Sequence, residues 1–226
     1  MCSRYALTSP HEAVRGTFGY ANQHAFPPRY NIAPTQPVAI VKHGFAGARE
    51  LALVRWGLIP SWAKDPAKIS TLINARAETA AEKPSFRGAM RHRRCLVPAD
   101  AFYEWLGKAG EKRPHLIRRK DGGMLAFAGI WENWLGADGS EIDTMAILTV
   151  ACNVALSWLH DRMPAILEPD AFDAWLDTRA VLADAAVHML QPAADDLLDV
   201  FEVGKALNNW RNEGPQLQTP ERTRLL

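Results

Sequence analysis

Short apolar runs, separated by proline and glycine, recur along most of the chain. Residues 37–43 (PVAIVKH) and 50–56 (ELALVRW) predict two strands around a glycine-bearing turn. Similar runs predict further strands at 95–98, 101–106, 114–118, 124–131, 142–151 and 198–203. Fewer segments have helical spacing; these are 75–81, 85–93, 153–159, 169–176 and 180–190. The pattern is therefore dominated by strands.

Strands that rarely alternate with helices disfavour a doubly wound parallel sheet. We therefore predict an α+β fold, with a single domain over residues 1–226. It would be built on a curved, mostly antiparallel, barrel-like sheet with flanking helices. Residues 204–226 are polar and turn-rich, and we expect them to form a C-terminal tail.

Composition adds few constraints on function. The chain has 226 residues, 48% of them hydrophobic and 23% charged, as is typical of a globular protein. A chain of this length buries roughly 70% of its unfolded surface, so neither a metal nor a disulfide is required for folding. The net charge of +1 gives no overall attraction to nucleic acid.

The charge is nevertheless unevenly distributed. Residues 86–120 contain ten lysines and arginines against three acidic residues, whereas residues 161–202 contain ten acidic residues against two arginines. Such an asymmetry can mark a surface for a polyanion, or two faces that attract each other; charge alone does not separate these alternatives.

The cysteines and the first residues indicate a reduced, cytoplasmic environment. An odd number of widely spaced cysteines (Cys2, Cys95 and Cys152) argues against a disulfide framework. No apolar run approaches the roughly 20 residues that cross a bilayer, and the first residues are too polar for a targeting segment. We expect no membrane association.

Cys2 directly follows Met1, and methionine removal generally needs a small second residue such as cysteine. Removal would leave an α-amine and a thiol on adjacent carbons. The pKa of an α-amine is about 7.7–8.0 against about 10.4 for lysine, so its unprotonated fraction at neutral pH is roughly 400 times larger. The amine can attack an aldehyde, and the thiol can close a thiazolidine ring on the resulting imine. Position alone does not establish this use, because most cysteines at position 2 are incidental.

Five blocks of sequence carry a family resemblance. They are MCSRY at the start, RWGLIPSW at 55–62, INARAET at 73–79, PADAFYEW at 98–105 and WLHDRMPAIL at 158–167. In order and approximate spacing the chain resembles the SOS-response-associated peptidase (SRAP) family, whose members process abasic sites in DNA. The resemblance extends from Cys2 to about Val203.

The resemblance implies that mature Cys2 bonds covalently to the ring-opened sugar of an abasic site in single-stranded DNA and shields it from cleavage. It also implies that Glu104 is the acid–base partner of the amine and that His160 is the acid that opens the sugar ring. Asn74 would hold the Cys2 backbone or a sugar hydroxyl. Because β-elimination from the imine would cut the strand, a lyase side activity is expected. No cofactor or metal is expected.

Each of these three partners of Cys2 also has an ordinary structural interpretation. Asn74 could be a helix N-cap, Glu104 an outward residue of an alternating strand, and His160 a loop histidine bonded to the backbone. Their occurrence with Cys2 in one pattern favours the functional interpretation.

Arginines near these blocks are candidate phosphate ligands. Arg76 and Arg162 each follow a predicted catalytic residue by two positions, an offset that returns a strand side chain to the same side. Arg4 lies close to Cys2. The alternative is a salt bridge, for which Asp161 is the obvious partner of Arg162.

Tryptophans are the candidate stacking residues. Trp62 and Trp105 could stack on bases, with Trp62 the favoured wedge. At least one of Trp56, Trp62 and Trp105 is expected to be buried, because tryptophan on a strand is more often a core residue. No residue pattern suggests base-edge readout, so little sequence preference is expected.

Three other classes of protein compete with this interpretation. A cysteine peptidase could pair Cys2 with His160, and a non-catalytic single-strand binding module could use the basic segment. A zinc site from Cys95, Cys152, His92 and His160 is disfavoured, because it lacks closely spaced ligand pairs. We expect a monomer that acts on abasic single-stranded DNA, with replication-fork proteins as conceivable partners.

Overall fold

The structure is a computed structural model that describes residues 2–44, 47–108 and 110–221. The strands are β1 (Tyr5–Leu7), β2 (Arg29–Ile32), β3 (Pro37–His43), β4 (Arg49–Trp56), β5 (Asn74–Arg76), β6 (Arg94–Ala99), β7 (Ala101–Leu106), β8 (Arg113–Arg119), β9 (Leu125–Leu135), β10 (Glu141–Ala151), β11 (Arg162–Pro164) and β12 (Leu198–Glu202). The α-helices are α1 (His11–Phe18), α2 (Ala77–Ala80), α3 (Arg87–His92), α4 (Phe172–Leu176) and α5 (Ala183–Val187). Single 3-10 turns span Pro66–Lys68, Val154–Leu156, Pro169–Ala171, Lys205–Asn208 and Pro215–Gln218. Among the described residues, no helix has the length and apolar character needed to cross a bilayer.

Five strands close into a barrel. Antiparallel pairings join β4 to β3, β3 to β6, β6 to β9 and β9 to β10, and a short parallel pairing of β10 with β4 completes the ring. Two short strands extend it at β10: β5 lies parallel, with Asn74 opposite Ile147, and β11 lies antiparallel, with Arg162 opposite Ala151. The closed ring gives β5 a fixed register beside the barrel.

A second, antiparallel sheet has the strand order β12-β8-β7-β1-β2. One hydrophobic core fills the space between this sheet and the barrel. The Tyr5 ring, in β1, packs edge-on against the rings of Trp56 and Phe127, with centroid distances of 5.2 and 6.0 Å. These contacts join the two sheets. The start of the chain is thereby fixed against the barrel.

The outer face of this sheet carries a smaller apolar cluster around Tyr103 and Leu116. Leu207 and Leu217, from the segment predicted as a polar tail, are buried in this cluster. The last part of that segment, residues 222–226, lies outside the described residues.

The basic and acidic segments lie against each other. Strand β12 of the acidic segment pairs along β8 of the basic segment. Arg113 forms an ion pair with Glu202 at 2.9 Å, and Arg119 forms another with Glu168 at 2.9 Å. Part of the basic charge is thus paired with the acidic segment, as the alternative of two attracting faces predicts.

The predicted α+β fold with a curved, mostly antiparallel sheet is confirmed, and β3 and β4 match the predicted strands. The helical patch at 75–81 is only partly correct. Residues 74–76 form β5 and only Ala77–Ala80 are helical, because β10 supplies hydrogen-bond partners to this stretch, as in the 3.1 Å bond from the Ile147 amide to the Ile73 carbonyl. The predicted helix at 180–190 is likewise shorter, since α5 covers only Ala183–Val187.

Candidate active site

Cys2 lies just before β1 and is fully buried. Its thiol donates a weak hydrogen bond to the Arg4 carbonyl, with a sulfur–oxygen distance of 3.7 Å. Burial raises the pKa of the Cys2 thiol well above its ordinary value of about 9, and the negative charge of Glu104 raises it further. The thiol therefore stays protonated at neutral pH.

Asn74 is tied directly to Cys2. Its Nδ2 donates to the Cys2 carbonyl at 2.7 Å. The preceding residue is also fixed, because Trp56 Nε1 donates to the Ile73 carbonyl at 2.9 Å. Asn74 is not a helix cap, since it belongs to β5 and the N-cap position of α2 is Arg76. Its Oδ1 is buried and makes no hydrogen bond to any residue that the structure describes.

Glu104 lies in β7 and is only 6% exposed, so it is not an outward strand residue. It shares its face of the strand with Phe102, which belongs to the main core. Directly opposite, on β8, is His115, which is also buried and whose pKa is lowered mainly by that burial. The carboxyl group of Glu104 therefore faces the interior, where its charge acts on Cys2.

His160 lies between the 3-10 turn Val154–Leu156 and β11. Its Nδ1 accepts a hydrogen bond from the Arg162 amide at 2.9 Å and lies 2.8 Å from a carboxylate oxygen of Asp161. In the neutral ring, the Arg162 amide places the proton on Nε2; a protonated ring would donate from Nδ1 to Asp161. The Asp161 carboxylate therefore lies within hydrogen-bonding distance of this ring nitrogen.

The segment that carries His160 reaches the strand beside Glu104. The Trp158 ring packs edge-on against the His115 ring, with centroids 5.3 Å apart. Of the predicted catalytic residues, Cys2 and Asn74 are joined by a hydrogen bond and Cys2 and Glu104 by their electrostatic interaction. For His160 the link is indirect: Trp158, two residues earlier in the chain, contacts His115, which lies opposite Glu104.

The predicted phosphate ligands differ in their surroundings. Arg76 is exposed. Arg162 forms a bidentate ion pair with Glu78, at 2.6 and 2.8 Å, and also donates to the Thr149 carbonyl. These hydrogen bonds lower the pKa of the Glu78 carboxyl. The salt-bridge partner of Arg162 is therefore Glu78 and not the adjacent Asp161.

Arg4 is held by the protein itself. Its Nη1 donates to Asn31 Oδ1 at 2.7 Å and to the Leu207 carbonyl at 3.1 Å, and its guanidinium lies over the Trp105 ring, 5.5 Å from the centroid. Burial lowers its pKa. The side chain links the strand that follows Cys2 to the C-terminal segment.

The tryptophans divide as expected between core and surface. Trp56 is fully buried, which confirms that at least one of the three belongs to the core, whereas Trp62 is 57% exposed. Trp62 Nε1 donates to the Pro84 carbonyl at 3.2 Å. Trp105 is half-buried and borders an open cavity of about 370 Å³, lined by Ser3, Arg4, Trp105, Gly110, Lys112 and Asn208.

Two residues of this region were not identified from the sequence. Glu78 lies within the INARAET block, two residues after Arg76. Its position in a motif block could have marked it as a candidate ion-pair partner for an arginine of the site. Asn31 is fully buried and its Nδ2 donates to three carbonyls of the C-terminal segment, those of Leu207, Asn209 and Asn212. Nothing in its sequence surroundings indicated this. Within the described ranges, no three His, Cys, Asp or Glu side chains are arranged to hold a metal.

Comparison with known proteins identifies relatives along nearly the whole chain. The family model "SOS response associated peptidase (SRAP)" matches residues 1–210. The chain is 36% identical over 221 residues to the abasic site processing protein YoqW of Bacillus subtilis, covering 96% of this chain and 98% of that protein. It is 31% identical over 260 residues to the abasic site processing protein HMCES of Xenopus tropicalis, covering 96% and 77%.

Solved structures share the fold. A protein from Bacteroides thetaiotaomicron superposes with a TM-score of 0.87 at 25% identity, covering 97% of this chain and all of that one. A protein from Bordetella bronchiseptica gives a TM-score of 0.78 at 30% identity, covering 90% of this chain and all of the other. With the family model matching most of its length, this chain belongs to the SOS response associated peptidase (SRAP) family.

Proposed function

We propose that this protein processes abasic sites in single-stranded DNA by forming a thiazolidine link between mature Cys2 and the opened sugar. The observation that carries the proposal is the placement of Cys2, buried with its carbonyl fixed by Asn74 and its thiol beside the charge of Glu104. The names of the curated relatives support the same class of substrate. Met1, whose removal the proposal requires, lies outside the described residues.

The first step is opening of the sugar. An abasic deoxyribose exists as a closed hemiacetal in equilibrium with an open aldehyde, and opening requires a proton on the ring oxygen. We assign this proton to His160, whose side chain is 28% exposed and whose Nδ1 lies 2.8 Å from a carboxylate oxygen of Asp161.

The second step is attack on the aldehyde carbon by the Cys2 amine. A C–N bond forms, and loss of water from the carbinolamine gives an imine. Glu104 accepts the proton from the amine and returns a proton to the leaving hydroxyl. Asn74 holds the Cys2 carbonyl during this exchange, and its buried Oδ1 is available to accept a hydrogen bond from a sugar hydroxyl.

The third step is ring closure. The Cys2 sulfur bonds to the imine carbon, and its proton is transferred to the imine nitrogen, so that the whole sequence releases one water. In this sequence the amine reacts first, and the sulfur adds to the imine already formed beside it. Closure removes the imine from which β-elimination would cut the strand.

The DNA would be held by few contacts. Arg76 is exposed and free to approach a phosphate, whereas Arg162 would have to exchange Glu78 for one. Trp62 and Trp105 remain the proposed stacking residues, and Arg4 would have to leave Asn31 and the Leu207 carbonyl to bind a phosphate. We further propose that the protein acts in the cytoplasm as a monomer, with replication-fork proteins as possible partners.

Intact mass spectrometry tests the proposal. Purified protein is expected to lack Met1 and, after incubation with uracil-excised single-stranded DNA, to gain one oligonucleotide mass minus one water. A protein that retains Met1 completely, or one that forms no adduct surviving denaturation, would contradict the proposal. Cleavage of a labelled peptide library without any DNA adduct would instead favour a cysteine peptidase. Equal binding of intact and abasic strands without an adduct would favour a non-catalytic binding module.

A further inference from the structure

Trp158 is an exposed aromatic side chain that the proposed mechanism does not use. It is 52% exposed, yet its position is fixed by two contacts. Its Nε1 donates to the Ala155 carbonyl at 2.9 Å, and its ring packs edge-on against His115 with an interplanar angle of 81°. An indole that is held at its nitrogen and against one neighbour loses little conformational freedom when a flat ligand stacks on it.

One ring contact, one strand pairing and one electrostatic interaction connect this indole to Cys2. Trp158 contacts His115, which is directly opposite Glu104 in the pairing of β8 with β7. Side chains of such a pair lie on one face with Cβ atoms about 4.5–5.5 Å apart. The charge of Glu104 in turn acts on the Cys2 thiol. Trp158 also precedes His160 by two residues, so the same short segment carries both side chains.

We propose that Trp158 is a stacking platform for the nucleobase adjacent to the abasic sugar, an inference that rests on the proposed function. A base beside an abasic site has lost its stacking neighbour on one side, so an aromatic plane can replace the missing base. Stacking of this kind does not depend on base edges, which suits a protein without base-specific contacts. Trp158 would thus contribute to the preference for abasic over intact strands.

The test uses a single strand that contains a tetrahydrofuran abasic analogue, which cannot open to an aldehyde and therefore reports binding without covalent chemistry. Trp158→Ala is expected to weaken binding by about tenfold, within the range of a lost base–aromatic stack. Trp158→Phe should retain most of the affinity. The matched control is Trp210→Ala, which removes another exposed indole, 44% exposed and close to Arg211; this variant should bind as the unmodified protein does.

A second strand sharpens the assignment. When the nucleotides on both sides of the analogue also lack bases, the difference between the unmodified protein and Trp158→Ala should disappear. Equal binding by the two proteins on the first strand, or a difference that persists on the second, would overturn the inference. If Trp158 behaves as expected but a true abasic strand gives no adduct, the covalent function fails while the stacking role stands.

Discussion

Cys2 and Cys95 occupy two regions that are alike in several respects. Both side chains are fully buried, and burial is the main cause that raises the pKa of each thiol. Each cysteine carbonyl accepts a hydrogen bond from a side-chain N–H group. Asn74 Nδ2 donates to Cys2 at 2.7 Å, and Trp175 Nε1 donates to Cys95 at 2.9 Å. Burial and thiol pKa alone do not distinguish a reactive cysteine from a packing residue.

The difference lies in what surrounds the two sulfur atoms. Cys95 sits in β6 of the closed barrel, where a Cβ added at Gly129 would approach its Sγ to 2.9 Å. The positive charge of Lys42 lowers the pKa of the Cys95 thiol, whereas the negative charge of Glu104 raises the pKa of the Cys2 thiol. Cys2 is also bound by an amide whose oxygen has no protein partner among the described residues. Polar groups placed around a buried thiol, and not its burial, mark the candidate reactive site.

Removal of each sulfur should give the largest contrast between the two regions. Cys2→Ala is expected to abolish heat-stable adducts with abasic single-stranded DNA, because no ring can close on the imine. The remaining amine should still produce slow strand cleavage by β-elimination. Denaturing gel electrophoresis separates the two products.

The matched variant is Cys95→Ala, which should form adducts at the unmodified rate. It should lower the free energy of unfolding by about 1 kcal/mol through a small cavity, measured by chemical denaturation. Heat-stable adducts from Cys2→Ala would refute the thiazolidine, and loss of adducts from a folded Cys95→Ala would remove the distinction between the two cysteines.

Removal of the carbonyl donors should give the next largest contrast. Asn74→Ala is expected to slow adduct formation about fivefold, because one hydrogen bond that positions the Cys2 backbone is worth about 1 ± 0.5 kcal/mol. Trp175→Phe leaves the Cys95 carbonyl buried without its donor and should destabilise the fold by about 1–3 kcal/mol. Single-turnover kinetics and denaturation curves distinguish the two outcomes. An Asn74→Ala protein that reacts at the full rate would show that this bond is only structural.

The sequence predicted the strands of the barrel better than it predicted the contacts of the candidate site. The apolar runs at 37–43 and 50–56 predicted β3 and β4 almost to the residue, because each run contributes several buried side chains to the core. No element was predicted before residue 37, where β1, α1 and β2 lie. A three-residue strand such as β1 is too short for alternation to be visible, and it is ordered by tertiary contacts with Trp56 and Phe127.

The motif blocks identified the residues of the candidate site but did not predict which contacts these residues make. Asn74 alone resembled a helix cap; only the parallel pairing of β5 with β10 turns its amide toward Cys2. Glu104 alone resembled an outward residue of an alternating strand, yet both faces of the second sheet are covered, one by the barrel and the other by the C-terminal segment. The Arg162–Glu78 ion pair joins β11 to the start of α2, a contact between segments that are distant in the chain. Such non-local contacts leave no periodic signal in the sequence.

The charges that act on the two thiols provide a smaller, pH-dependent contrast. Glu104→Gln should lower the pKa of the Cys2 thiol, but not to its ordinary value of about 9, because burial is the larger cause. Lys42→Met should raise the pKa of the Cys95 thiol further. Thiolate absorbance, titrated in variants that retain one cysteine at a time, measures both shifts. A Cys2 pKa unchanged in Glu104→Gln would show that the carboxylate does not act on the sulfur.

The same shifts determine how stability depends on pH. A thiol whose pKa is raised by folding binds its proton more tightly in the folded state, so its contribution is fully present below the unfolded pKa and is lost as pH rises above it. The free energy of unfolding should therefore begin to fall above about pH 9, the ordinary thiol value. The fall should be shallower in Cys95→Ala, which removes one of the two thiols. Glu104→Gln should leave the initial slope unchanged but end the contribution of Cys2 at a lower pH, because the folded-state pKa is then lower. Denaturation at a series of alkaline pH values measures these slopes.

The smallest expected effect concerns the non-covalent grip on DNA. If about three phosphates are neutralised near Cys2, the affinity for single strands should fall roughly 20-fold between 50 and 200 mM salt. Arg76→Ala, which removes an exposed arginine beside Asn74, should weaken binding several-fold and reduce the salt slope by about 0.7. Arg87→Ala removes an equally exposed arginine on α3, the helix that packs near β6 and Cys95, and should leave the slope unchanged. Equal slopes in the two variants would mean that the DNA strand is not held near Cys2. The two cysteines would then differ in their chemistry but not in their distance from bound DNA.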